Sequence, residues 1–192
     1  GGIGSCLCFE GYFLDDSNEV CQLCASYPTT GCPADQYWRG CRSRSDASCV
    51  SCHPSLTSLP GSNGSSSCMC KAGFTGPAGG PCVACPPNTY KHMAGDAVCT
   101  SCPLNSTSSA NSSTNVTDCI CTAGTFGPPG GPCTPCPLGT YKNSTDSSSC
   151  SSCPGNTTTR AQGSKQIQEC VCAADFFGYA FSVADRLQSN CE

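Results

Sequence analysis

Residues 71–85, KAGFTGPAGGPCVAC, and residues 122–136, TAGTFGPPGGPCTPC, lie 51 positions apart and share every glycine and every cysteine. The register extends outward in both directions. Cys68, Cys70, Cys82, Cys85, Cys99 and Cys102 fall on Cys119, Cys121, Cys133, Cys136, Cys150 and Cys153, and Cys170 and Cys172 open a third copy. The following stretches, CPPNTY and CPLGTY, place Tyr90 and Tyr141 five residues after a cysteine. One unit therefore reads C-x-C, a Gly-aromatic-Gly-Pro loop, C-x-x-C-P, a tyrosine, a second C-x-x-C-P, a Ser/Thr/Asn tract, and the next C-x-C. A fixed period of this kind is the signature of a repeat array. The first unit follows the same grammar with an insertion over about 24–48: Cys6 and Cys8 open it, Cys49, Cys52 and Cys68 close it, and Cys24 and Cys41 are extra. The last stops after a single, longer loop from Cys172 to Cys191. The expected modules are 1–69, lacking its upstream part, 70–120, 121–171, and a partial 172–192.

Composition says what holds such modules together. Leu, Ile, Val and Phe number 25 of 192 residues and charged residues are 11%. That is too little apolar surface to offset the conformational entropy of folding. Cysteine, at 23 residues, reverses the reading. Cross-links that constrain the unfolded chain substitute for a core, at ~3 kcal/mol for a loop of about 15 residues. Disulfides persist in oxidising compartments. A second feature agrees: N-x-[ST] sequons stand at Asn63, Asn105, Asn111, Asn115, Asn143 and Asn156. These make N-linked glycosylation and an extracellular location, secreted or cell-surface, the expectation. No apolar run is long enough for a transmembrane helix. The start shows no signal-peptide pattern, so a mature product or a fragment is expected. Net charge is −4 at low charge density, which argues against nucleic acid as partner.

Glycine and proline punctuate every loop, and no segment carries a helical apolar period. The fold class expected is a tandem of small disulfide-rich modules with little regular secondary structure and short β-hairpins, forming an elongated rod.

The string CPLGTYKNSTDSSSCSSCPGNTTT, residues 136–159, followed by C-x-C, resembles the ephrin-receptor-like cysteine-rich repeat. That repeat is related in style to EGF-like, laminin-type and tumour-necrosis-factor-receptor modules. The resemblance covers 68–172 well, 1–67 with the insertion, and 172–192 in part. The family occurs in receptor ectodomains, in secreted matrix proteins and in large surface proteins of algae and protists, including flagellar-hair (mastigoneme) shafts.

The resemblance also implies pairings. The second cysteine of each C-x-C is expected to join the first of the next C-x-x-C, giving Cys8–Cys21, Cys70–Cys82, Cys121–Cys133 and Cys172–Cys191. The simplest completion is a ladder: Cys52–Cys68, Cys85–Cys99, Cys102–Cys119, Cys136–Cys150 and Cys153–Cys170, with Cys24–Cys41 and Cys32–Cys49 in the first unit. An interlocked alternative, Cys85 with Cys102 and Cys99 with Cys119, stays open. The ladder leaves Cys6 unpaired within the chain. Its equivalents pair backwards, so its expected partner is a preceding module or a neighbouring subunit. The single residues Leu7, Met69, Ile120 and Val171 inside each C-x-C are apolar; extended backbone would turn them away from the cysteines, to cap a small core or to stiffen a junction.

Little chemistry is offered. Paired C-x-x-C motifs raise zinc, but the alternating C-x-C spacing and the oxidising compartment argue against it. Asp15-Asp16-Ser17-Asn18-Glu19 resembles the acidic calcium lead-in of growth-factor modules, one residue out of register, and reads rather as a solvated turn. The two histidines, His53 and His92, lack a repeated carboxylate partner, and no serine has a positioned base. No enzyme and no cofactor are expected. Two segments are candidates for contacts. Tyr37, Trp38 and Arg39 carry the only tryptophan, of residue types enriched in interface hot spots, although Trp38 also suits covering the extra disulfide. Phe177, Tyr179, Phe181 and Val183 alternate along one strand face and are expected to pair with a neighbour. The functional expectation is a structural, non-catalytic repeat rod or subunit of an extracellular filament, flagellar hair or matrix, assembling with copies of itself or neighbouring modules. The alternative is a receptor or ligand ectodomain that binds a protein partner.

Overall fold

Loops of 12 to 19 residues between bonded cysteines are too short for helices of useful length, and each folds as an antiparallel hairpin or brings one to its neck. The computed structural model describes residues 8, 12–15, 17, 20–42, 45–174, 180–183, 186–189 and 191. Among them are ten two-stranded sheets and no α-helix. Isolated two-stranded ribbons are marginal in water, so closure by cystine is what makes each one persist.

Three loop types alternate. In the first, closed by Cys70–Cys82 or Cys121–Cys133, Phe74–Thr75 pairs with Val83–Ala84, and Thr125–Phe126 with Thr134–Pro135. In the second, closed by Cys85–Cys99 or Cys136–Cys150, Thr89–Tyr90 pairs with Thr100–Ser101, and Thr140–Tyr141 with Ser151–Ser152. The third, closed by Cys52–Cys68, Cys102–Cys119 or Cys153–Cys170, ends on one turn of 3-10 helix, at Ser65–Ser67, Val116–Asp118 and Ile167–Glu169. The first unit adds Cys8–Cys21, Cys24–Cys41 and Cys32–Cys49, and the last loop closes through Cys172–Cys191. The pairing is a ladder; Cys85 and Cys102 each join their next neighbour rather than each other. Cys6 lies outside the described residues.

The packing shows what replaces a core. Leu56 is the only large aliphatic side chain buried among the described residues, and nearly all other buried apolar positions are cysteines. Leu104 and Val98 are left 84% and 78% exposed. Cys70 and Cys121 are fully buried while Met69 and Ile120, beside them in the same strands, are half-exposed. Strand alternation thus sends cystine inward and the middle residue outward.

Two compact units emerge: residues 1–84 with 93–98, and residues 85–92 with 99–192. Within each, the same hydrogen bonds recur. The Gly79 and Gly130 amides donate to the carbonyls of Cys68 and Cys119, both at 2.7 Å. The Cys52, Cys102 and Cys153 amides donate to Asp35, Asn88 and Gly139 at 2.8–2.9 Å.

Candidate functional site: the strand after the repeat tyrosine

The position following the repeat tyrosine is Trp38, Lys91 and Lys142 in successive modules. Its backbone is held alike in all three: the amide donates to Ser62, Ser113 or Ser164 at 2.9–3.1 Å. The side chains differ entirely. Lys142 is 2% exposed, and its ammonium donates to the Thr125 carbonyl at 3.0 Å and to the Asp146 carbonyl, with the Asp146 carboxylate 3.3 Å away. It thereby ties the first loop type to the second. Ser148 and Ser144 hydroxyls, the Ser148 amide and Lys142 hold the Asp146 carboxyl well below the usual carboxylate range. Lys91 is buried as well, 4% exposed.

Trp38 sits in Gln36–Arg39, which pairs with Ser48–Ser51 so that Trp38 faces Cys49. On the other edge Trp38 forms a parallel bridge to Asn63, closed by Trp38 N–H to Ser62 O at 2.9 Å and Gly64 N–H to Trp38 O at 3.0 Å. The Tyr27 ring meets Trp38 edge-on at 5.5 Å, and the Tyr27 hydroxyl donates to Gly61 O at 2.7 Å. Tyr37, Trp38, Arg39, Arg42, Asn63 and Ser65 line an open groove of about 300 Å³. Among the described residues the Arg39 Nε is buried without a hydrogen-bond partner. In the third module Tyr141, Asn143 and Ile167 line a groove at the corresponding place.

All six sequon asparagines are exposed, but three also have backbone work. Asn105 and Asn156 adopt φ of 61° and 60° as the third residue of turns closed by Ser106 N–H to Pro103 O and Thr157 N–H to Pro154 O. Such turns need a residue that tolerates positive φ. Their amides donate to Cys133 O at 3.4 Å and Cys191 O at 2.9 Å. Asn115 caps the turn at Val116–Asp118, accepting from Thr117 N at 3.0 Å. Among the described residues Asn63, Asn111 and Asn143 have no such side-chain bond. A signal for the turn role was present in the sequence: Asp35, Asn88 and Gly139 stand at the register of Asn105 and Asn156, with φ of 63°, 68° and 77°. Ser55, three residues after Cys52, is the exception at that position and has no positive φ.

The remaining candidates are distributed. Ala180–Val183, containing Phe181 and Val183, pairs with Arg186–Ser189 of its own loop, so one strand edge expected to meet a neighbour is filled from within; Phe177 and Tyr179 lie outside the described residues. Asp15 accepts from Ser17 and Gln22; Asp16, Asn18 and Glu19 lie outside the described residues. The His53 ring contacts the Ser55 hydroxyl at 3.0 Å in a local turn. Cys24, Cys41 and Asp46 cluster at metal-ligand distance. The two sulfurs are joined in a disulfide, and Asp46 accepts from the Ala25 and Ala47 amides at 2.7 Å. No helix among the described residues is long and apolar enough to cross a membrane.

Cystine-closed hairpins in strict register, with a buried lysine or an aromatic at one repeated position, define a tandem cysteine-rich repeat protein. The sequence profile of the family described as tyrosine-protein kinase ephrin type A/B receptor-like matches residues 73–119 and 121–170. Together these are just over half of the chain, and the chain belongs to that family. Cysteine repeat modular protein B of Toxoplasma gondii is 35% identical over 173 residues, 86% of this chain. Cysteine repeat modular protein A of the same organism is 31% identical over 60% of the chain. Ephrin type-B receptor 2 of Coturnix japonica is 38% identical over 60 residues, 31% of the chain. The chain spans only 2%, 4% and 6% of the lengths of these three relatives.

Proposed function

We propose that these residues are an extracellular, glycosylated, non-catalytic spacer: a stiff stretch of cysteine-rich repeats within a filament, surface coat or matrix. The observation that carries the reading lies within residues 99–174. Successive cystine loops there are joined by one or two residues. Each loop is tied to the next by hydrogen bonds, among them Lys142 Nζ to Thr125 O and Gly124 N–H to Lys142 O at 2.8 Å. A chain so restrained at every junction propagates direction, as solenoid arrays do. Eleven disulfides and six exposed sequons suit an oxidising compartment, and the likeness to a receptor supports a surface location. The kinase in the family's description belongs to those receptors; nothing in residues 73–119 or 121–170 beyond cystine loops is carried over. Rotary-shadowed images of the full-length native protein test the proposal. Contour length should increase in proportion to repeat number, with few bends. Compact particles, or freely jointed beads, would overturn it.

A further inference from the structure

The first module sets a half-buried tryptophan and a sequon side by side across two chain segments. Trp38 and Asn63 are partners in a parallel bridge. Paired residues on adjacent strands, about 4.8 Å apart, send their side chains to the same face. All three sequon positions, Asn63, Gly64 and Ser65, line the groove that Trp38 lines. Among the described residues no hydrogen bond engages the Asn63 side-chain amide, unlike those of Asn105 and Asn156. Tyr27 covers Trp38 edge-on, and Trp38 remains only half-buried.

We propose that a glycan on Asn63 lies in this groove, its first N-acetylglucosamine stacked on the Trp38 ring. A pyranose presents a face of C–H groups that suits the electron-rich face of an indole, and its hydroxyls and acetamide meet polar partners at the rim. Arg39 and Arg42 line the same groove and bring guanidinium groups to it. The sugar thus acts as part of the module, covering apolar surface that the chain has no core to receive. In the third module the groove also holds a sequon, Asn143, near Tyr141. Asn143, however, stands at the register of Arg39, the register position of Asn63 is Lys165, and that of Trp38 is the buried Lys142. In the second module the register position of Asn63 is Thr114 and that of Trp38 is the buried Lys91.

The inference rests on the secretory part of the proposed function. Trp38 is the only tryptophan in the chain, so its fluorescence reports on the groove alone. The protein would be produced in glycosylating cells as the wild type and as Ser65→Ala, which removes the sequon and keeps Asn63. The wild type is trimmed by an endoglycosidase to one N-acetylglucosamine per site. Expected results are an occupied Asn63 by peptide mapping, trimmed wild-type emission unchanged from the untrimmed protein, and Ser65→Ala emission shifted to the red and more readily quenched by acrylamide. Identical emission and quenching in all three samples would overturn the stacking. An Asn63 left bare while other sequons carry glycans would overturn the inference and leave the secretory reading standing. All six sites bare would overturn both.

Discussion

The segment around Trp38 in the first module and that around Lys142 in the third have one backbone hydrogen bond in common and two chemistries. In the third module, burial of a charge is made tolerable by two carbonyls and a carboxylate arranged around the ammonium. In the first, an aromatic lies half-covered against Tyr27. The cystine frame and the amide bond to Ser62 or Ser164 set the strand, and the side chain is then free to vary with its neighbours. The lesson is that in a module without a core, one side chain per repeat decides whether a loop junction is closed by polar bonds inside or left as an open surface.

Removing cystines should produce the largest effects. The bonds Cys136–Cys150 and Cys24–Cys41 close loops of similar separation, 14 and 17, so chain entropy alone predicts a loss of ~3 kcal/mol for each double serine variant. Cys136 is fully buried while Cys24 and Cys41 are half-exposed. Chemical denaturation read by amide exchange should therefore show the greater loss for Cys136→Ser with Cys150→Ser. Equal losses would mean that packing around the cystine adds nothing.

Next comes the contrasted position itself. Lys142→Met keeps the stem but strands the Thr125 carbonyl and the Asp146 groups, at a cost of about 2 kcal/mol. Trp38→Lys loses the Tyr27 edge contact and apolar cover, for about 1–2 kcal/mol. If thermal melts show Lys142→Met to be neutral, the buried ammonium is not a staple.

A backbone test follows. Gly124 has φ +83°, and a methyl there would collide with the Gly163 carbonyl oxygen. Gly124→Ala should cost about 1.5 kcal/mol. Gly40 in the first module has nothing within 4 Å, and Gly40→Ala should stay within ~0.5 kcal/mol of wild type. A comparable loss at both positions in urea titrations would break the comparison.

The smallest effect is on pH dependence. Asp146 and Glu169 have depressed folded-state pKa values, the first through the Ser148 and Ser144 hydroxyls, the second through the Lys165 and Gln166 amides. Each therefore binds its proton less readily folded than unfolded. Its contribution is complete above the ordinary carboxylate range and is lost as pH falls through the folded value. Melting temperatures measured downward from pH 5 should fall less steeply in Asp146→Asn than in wild type. A parallel fall in both would show that Asp146 contributes nothing.

How much of this was legible in advance differs by element. The 51-residue register was readable because cysteine spacing sets loop length, and loop length leaves a hairpin as the economical closure. The choice between ladder and interlocked pairing was not, since both close loops of tolerable size. In the folded chain the hairpins bring the bonded partners to Cα separations of 5.5–6.0 Å, within ordinary cystine geometry. The turn role of Asn105 and Asn156 was legible but obscured by the sequon motif. The backbone pairing of Ala180–Val183 with Arg186–Ser189 was not legible, because Arg186–Ser189 carries no strong apolar alternation of its own.

The sequence by itself determined the modules, their period, their reliance on cystine and the poverty of any core, because these follow from residue counts and spacing along the chain. Only the tertiary structure decided that Lys142 is buried between Thr125 and Asp146, and that Asn63 lies beside Trp38, 25 positions away. Thr125 and Lys142 belong to different cystine loops, as do Trp38 and Asn63. Which side chains meet across loops depends on strand register and on the direction each hairpin leaves its disulfide, and neither quantity is written in linear spacing.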